Sequence, residues 1–268
     1  MDRPLFTRIV REFFWQLPFF QEGCDVVGKA GIFALVKCTS AIRQLAYDAV
    51  PDSLDEYLQI SDKTSCDCLM AFCNGVMELY GDEFLRRPMQ TAVKKPNAFH
   101  EEKHGFPEPF ILLEAVSSKD LWIWHAFFGV AGSNNDINIL RQSTVLNDLK
   151  VGKAPEVPFV ANDVNYKWGY YLTDEIYPEW VVFMKSIAQP GSNDVKRIRY
   201  KQAHEATRKD VKRAFGVLKK KWAIVRTPAR SWSLKKIPIW MYSCIYITII
   251  MIRKEEKGKA NSPPDFYP

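Results

Sequence analysis

The stretch Ile237 to Ile252, IPIWMYSCIYITIIMI, is uncharged throughout and is bounded by Lys235-Lys236 and Arg253-Lys254. Apolar surface left in water costs about 25 cal/mol per Å², so a run of this kind has to enter a protein core or a bilayer. A bilayer span needs about 20 residues, and Pro238 removes a turn from the usable length. The run is therefore read as a buried helix. The alternative is a C-terminal tail anchor, which the basic flanks and aromatic boundary would suit.

The remainder of the chain is globular in composition. Its 268 residues are 47% hydrophobic and 25% charged, enough to bury a sizeable core as one large domain or two small ones. The formal net charge of +6 hides an asymmetry. Residues 195 to 236 hold fifteen Lys and Arg against Glu205 and Asp210 alone, a local +13. Of the 37 basic and 31 acidic residues in the chain, 22 and 29 then lie elsewhere, giving −7. Within this block Phe215, Val217, Leu218 and Trp222 interleave the charges at helical spacing. RKDVKRAFGVLKKKWAIVR, Arg208 to Arg226, is thus expected to form an amphipathic helix with a basic outer surface. Such a surface is either a nucleic-acid footprint, where each neutralised phosphate releases counterions, or a solvated face. Composition leaves both open.

Two patterns suggest metal chemistry and fail on context. Cys66, Cys68 and Cys73 read as C-x-C-x4-C, but on a helix Cys66 and Cys73 share a face while Cys68 points elsewhere, and no histidine is near. They are read as core thiols. His100 to His104, HEEKH, fits the H-E-x-x-H pattern with Glu101 as general base. Pro96-Asn97 before it and Gly105-Phe106-Pro107 after it argue for an exposed helical turn instead. The N-terminus, MDRPLFTRIVREFF, is charged too early for a signal peptide, so all six cysteines are expected as free thiols in a reducing compartment.

Residues 1 to 90 read as helical, with apolar positions recurring every three or four residues from Leu5 to Phe14 and from Ile32 to Tyr47. Pro51 to Phe72 is expected to form two short helices around a tight turn, with Ser61, Asp62 and Thr64 as caps. That is a helix-turn-helix shape, or equally a plain helical hairpin. The segment after Thr64 carries Asp67 and Glu78 and little positive charge, which disfavours base reading. Residues 91 to 108 form a polar, proline-punctuated linker. Beyond it, Pro109 to Val116 and Leu121 to Gly129 are expected as a strand hairpin, followed by strands near Phe159 to Asn162 and Val181 to Met184. The class is α/β behind a helical N-terminal region, with the α/β domain over residues 109 to 256 and a disordered tail over 257 to 268.

Longer strings carry a resemblance. LFTRIV, CTSAIRQLAY, DEYLQI, LLEAVSSKDLWIWHAFFG, GSNNDINIL, WGYYLTDEIYPEW, RAFGVL and AIVRTPAR occur in this order over most of the chain. Together they resemble the plant transposon proteins of the Harbinger (PIF/Harbinger) superfamily. The resemblance implies an RNase-H-like mixed sheet and a DDE nuclease site, in which three carboxylates hold two Mg²⁺ or Mn²⁺ ions against a phosphodiester. It also implies a DNA substrate, a Myb-like protein partner and a nuclear location.

The acids of that site are the test. GSNNDINIL matches the second motif and places Asp136 as its ligand, although Asn134, Asn135 and Asp136 alone would serve equally as a helix N-cap cluster. The first acid belongs to an opening strand after G-F-P, and here Gly105-Phe106-Pro107 runs almost at once into the second strand, as if an exon were missing. Lys212 occupies the third position. At 3.6 residues per turn Asp210 points about 200° away from it, and Glu205 lies roughly 10 Å back along the axis. Arg208 and Lys209 share the face of Lys212, and three cations there repel a divalent ion. Glu114, Asp163 and Asp174 are further acids of the α/β region.

The expectation is a transposase-derived DDE homologue without catalytic activity and without a bound metal. It would contact DNA non-specifically through Arg208, Lys209, Lys212 and Lys219, with no membrane and no small-molecule substrate. Two alternatives stay open, a domesticated chromatin-associated interaction module and an active nuclease whose gene model lacks an exon. The nucleus is the expected location, with the cytoplasm as the alternative.

Overall fold

The computed structural model describes residues 1–24, 28, 30–84, 113–117, 123–128, 156–161, 163–168, 171–173, 179–180, 183–228, 233 and 235–260. The chain divides into a helical unit, Met1–Leu85 with Phe215–Pro268, and a second unit, Arg86–Ala214. The fold is mixed and helix-rich.

In the helical unit, α1 (Arg3–Gln16) starts where the Asp2 carboxylate accepts the Leu5 amide at 3.3 Å. It buries the i, i+4, i+8 row Leu5, Ile9 and Phe13. Phe13 meets Phe20 and Phe72 with ring centroids 5.0 and 5.2 Å apart. Helix α2 (Ala34–Tyr47) buries Ala34, Cys38, Ala41 and Leu45 and stops at Asp48, whose left-handed φ of 54° ends the hydrogen-bond ladder. A 3-10 turn (Asp52–Leu54) and α3 (Asp55–Leu58) lead into α4 (Asp62–Phe84). As the sequence suggests, Ser61 Oγ accepts the Thr64 amide at 3.3 Å and caps this helix.

Of the two short helices expected between Pro51 and Phe72, the second is instead 23 residues long. Its first turns are held by packing against α2. Ser40, Gln44 and Ser65 are buried between α2 and α4, where the two serine hydroxyls lie 2.7 Å apart and Gln44 Nε2 donates to the Ser65 carbonyl at 2.9 Å.

The apolar run forms the body of the last long helix, Lys236–Ala260. Tyr242 to Ile250 are all buried in it, and it packs on α4, which also packs on α2. By length and composition Lys236–Lys254 is also apolar enough to cross a membrane, and half of that window is buried inside the protein. Its polar atoms are satisfied locally. Ser243 Oγ donates to the Cys73 carbonyl at 3.1 Å, and Thr248 accepts the Trp222 indole N–H at 2.8 Å.

The second unit pairs its described strands two by two. Strands β1 (Leu113–Ser117) and β2 (Ile123–Phe128) form the expected antiparallel hairpin, with Glu114 in β1. Strands β3 (Glu156–Ala161) and β4 (Val164–Trp168) form a second hairpin, turning through Asp163 at φ 61°, a conformation Asp tolerates. Strands β5 (Tyr171–Thr173) and β6 (Phe183–Lys185) pair in parallel. β4 and β5 go beyond the strands expected from the sequence, because polar residues in VNYKW and the brevity of YLT blur the period-2 signal.

Helix α5 (Val195–Lys221) follows, then α6 (Ala223–Arg226), so that the helix of Lys236–Ala260 is α7. The backbone of α7 continues to Ala260, past residue 257 where a disordered tail is expected to begin. The linker, HEEKH with Glu101, the GSNNDINIL motif with Asp136, Asp174 and residues 261–268 lie outside the described residues.

Burial sorts the cysteines differently from their spacing. Cys38, Cys68, Cys73 and Cys244 are buried, while Cys24 and Cys66 are exposed. Periodicity sets Cys66 and Cys73 on one face, but α4 packs against both α2 and α7, so Cys68 is covered as well. Burial pushes the Cys68 thiol up to about 11 and the Cys73 thiol up to about 12. At neutral pH a thiol reagent is therefore expected to modify Cys24 and Cys66 well before the other four, which react only on unfolding, as peptide mass spectrometry would show; rapid native labelling of Cys73 would contradict this packing.

Gly75 supplies a second test. A Cβ there would stand 2.4 Å from Leu17 Cδ1 and 3.2 Å from the Phe13 ring. Gly75→Val is expected to destabilise the protein by about 1–3 kcal/mol in urea unfolding, because both neighbours are packed.

Candidate nucleic-acid interface

Helix α5 begins after Asp194, whose carboxylate accepts the Arg197 amide at 3.0 Å and pairs with its guanidinium at 3.3 Å. Three side chains then fasten it to the backbone of β6 and the residues just after. Tyr200 OH donates to the Lys185 carbonyl at 2.9 Å, Lys201 Nζ to the Ala188 carbonyl at 2.7 Å, and His204 Nε2 to the Met184 carbonyl at 2.8 Å. His204 is buried, and its other ring nitrogen has no hydrogen-bond partner among the described residues. This donation fixes the tautomer with the proton on Nε2.

These bonds, with the apolar positions, set the rotation of the helix. Ala214 and Leu218 are buried, as is Trp222 just beyond its end, a row at i, i+4 and i+8. Phe215 and Val217, expected to share the apolar face, are half-buried at its margins. The opposite side is cationic. Lys209, Lys212, Arg213, Lys219 and Lys220 are exposed, and their spacing of i, i+3, i+4, i+10 and i+11 keeps them on one stripe about 16 Å long at 1.5 Å per residue. Arg213 and Lys220 add to the residues expected from the sequence, although helical periodicity within the same basic block contains them.

The acids of this helix do not gather beside Lys212. Asp210 is buried, and its carboxylate is held by Arg213 at 2.8 Å, on the side of the helix away from Lys212 as the 3.6 periodicity requires. Glu205 pairs with Lys201 at 3.9 Å. Arg208 is half-buried with interactions of its own, so it contributes less to the stripe than its spacing suggests. Among the described residues no three His, Cys, Asp or Glu side chains come together. Asp163 is exposed in its turn.

Ammonium and guanidinium groups are hydrogen-bond donors with no lone pair to offer a cation, so the residues around position 212 do not fit a divalent ion. They fit an anion. Lys209, Lys212 and Lys219 form no ion pair with another described residue, and the exposed acid on their face, Glu205, lies one turn before Lys209 and is engaged with Lys201. Phosphates along one strand of a duplex recur every ~3.4 Å of axis, and a stripe of about 16 Å spans several of them.

The sequence matches the plant transposon protein family over residues 89–259, well over half of the chain. Comparison with curated proteins and with solved structures finds no match. The matched span includes both hairpins, all of α5 and nearly all of α7, so the cationic stripe belongs to the part that carries the likeness. The chain is a member of the plant transposon protein family.

Proposed function

We propose that this chain is a Harbinger-type, transposase-derived protein that binds nucleic acid through the cationic stripe of α5 and does not cut it. The observation that carries the reading is the orientation of α5. Lys212 stands exposed where the resembled nucleases place their third acid, while the nearby carboxylate of Asp210 is buried on another side of the helix and paired with Arg213. A metal-dependent nuclease needs clustered carboxylates to hold its ions, and this helix offers cations in their place. The chemistry left to such a face is charge neutralisation of phosphates, which is sequence-independent and salt-sensitive. A role on chromosomal DNA would put the protein in the nucleus.

Purified protein incubated with labelled duplex and Mg²⁺ or Mn²⁺ is expected to produce no nicks, and Lys212→Asp is not expected to restore them, because on the resemblance Gly105-Phe106-Pro107 runs almost at once into the second strand and leaves no place for the first acid. Metal-dependent cleavage abolished by Asp136→Ala would overturn the inactive reading. Binding should show a linear fall of log affinity with log salt. Replacing Lys209, Lys212 and Lys219 together by Ala should lower the slope by roughly 2 to 3, at about 0.9 for each phosphate no longer neutralised. An unchanged slope would remove α5 as the DNA-binding element.

A further inference from the structure

We propose that the corner of the helical unit formed by the end of α2, the 3-10 turn and α3 is a docking site for an amphipathic segment of a partner protein, one that carries bulky apolar anchors flanked by Lys or Arg. This surface is separate from the α5 stripe and does not depend on nucleic-acid binding.

The first observation is a cavity of about 440 Å³ within the helical unit, lined by Val50, Pro51, Leu69, Met70, Trp240 and Met241. That volume lies in the range of sites that accept ligand groups of side-chain size or larger. Its wall is apolar and adaptable, since thioether side chains repack easily around different shapes. Gln44 and Asp48, one turn apart at the end of α2, stand among the lining residues, and Asp48 is held by the Thr227 hydroxyl at 2.8 Å. The site therefore has a fixed polar edge beside its apolar floor.

The second observation is what borders it. Arg43 and Tyr47 form the α2 ridge next to Gln44 and Asp48, because residues four apart share a face and neighbouring rows lie about 100° round. Tyr47 is 74% exposed and Tyr57 of α3 is 68% exposed, with the Arg43 guanidinium over the Tyr57 ring at 4.4 Å. Val50, which lines the cavity, is itself 42% exposed. One exposed aromatic needs no explanation, but Tyr47 adjoins the lining residue Asp48 in sequence and Tyr57 is tied to α2 through Arg43, so two exposed rings share the corner that supplies Val50 and Pro51 to the cavity. Tyrosine supplies large contact area at little entropy cost.

Charge selects the occupant. Between residues 48 and 67 there are six acids, Asp48, Asp52, Asp55, Glu56, Asp62 and Asp67, against Lys63 alone. All but Asp48 are exposed. Arg43 is committed to Tyr57, which leaves Lys236 as the further cation at the cavity. The lining itself balances Asp48 against Lys236, and the acids of the segment leading from α2 into α4 make the surrounding surface negative, which steers a cationic partner and disfavours nucleic acid and acidic peptides. An apolar anchor entering the cavity beside Trp240, with Lys or Arg over Asp55 and Glu56 and against the tyrosine faces, satisfies both features at once.

The test uses the full chain and fluorescence anisotropy at about 0.15 M salt, with a labelled helical peptide of about 14 residues bearing Leu at i, i+4 and i+7 and Lys elsewhere. One control peptide carries Glu for Lys and another Ser for Leu. The Lys–Leu peptide is expected to bind saturably, the controls not. Tyr47→Ala with Tyr57→Ala, and separately Asp55→Lys with Glu56→Lys, should each weaken binding about tenfold or more while circular dichroism stays unchanged. All four substituted side chains are exposed, so the fold should tolerate the changes. The proposal is overturned if the Lys–Leu peptide does not saturate, if either control binds as well, or if the variants bind within about twofold of the parent. Self-association of the unliganded chain that Tyr47→Ala abolishes would assign the face to a second copy and overturn it also.

Discussion

The burial of Tyr242 to Ile250 against α4 is the contact on which the helical unit depends. Nine successive buried residues in a helix have no solvent side, so α7 must be covered from several directions. It holds α4 by packing and by the Ser243 hydroxyl on the Cys73 carbonyl, and α4 in turn holds α2 through the buried Ser40, Gln44 and Ser65 cluster. A polar cluster of this kind is directional, since a slip of one residue between α2 and α4 would leave three buried polar side chains unsatisfied. Apolar burial supplies the drive and the serine–glutamine contacts fix the register.

The same helix determines what the chain ends around it can do. Trp222, just past the end of α5, inserts its indole toward Thr248 of α7, which pins the last turn of the basic helix by its apolar side. The cations at the end of α5 are then left no freedom to fold inward. Lys219 and Lys220 face solvent because Leu218 and Trp222 do not, and the positive stripe is a by-product of where the apolar row is anchored. Lys212 follows from the same phase, counted back along the helix from Leu218.

Much of this is legible in the residues. The rows Leu5, Ile9, Phe13 and Ala34, Cys38, Ala41, Leu45 are plain 3.6-residue periodicities, and the β1–β2 hairpin announces itself by two apolar runs around a polar turn. The phase of α5 is legible too, since Asp210 and Lys212 have to diverge whatever the packing. Less legible is the length of α4, expected as a short helix within Pro51 to Phe72 and running instead to Phe84 because α2 and α7 pack along it. Strand β4 is hidden by its asparagine and lysine, and the parallel pairing of β5 with β6 joins segments that no turn connects. The Asp210–Arg213 pair has the i, i+3 spacing of a helical ion pair, but the burial of its carboxylate comes from packing that spacing does not state.

A net charge of +6 says little about partners when it is the sum of a +13 block over residues 195–236 and −7 over the remainder. Electrostatic attraction acts over about a Debye length, near ~8 Å at physiological salt, so a partner responds to local charge and not to the net total. The α5 stripe presents lysines with Asp210 buried and paired to one side and Glu205, engaged with Lys201, one turn before Lys209. The corner at α3 presents acids with aromatic rings between them. A polyanion meeting both is attracted to the first and repelled by the second, and a cationic peptide sorts the opposite way. Two charge patterns of opposite sign therefore select different classes of ligand, and neither is legible in the net charge.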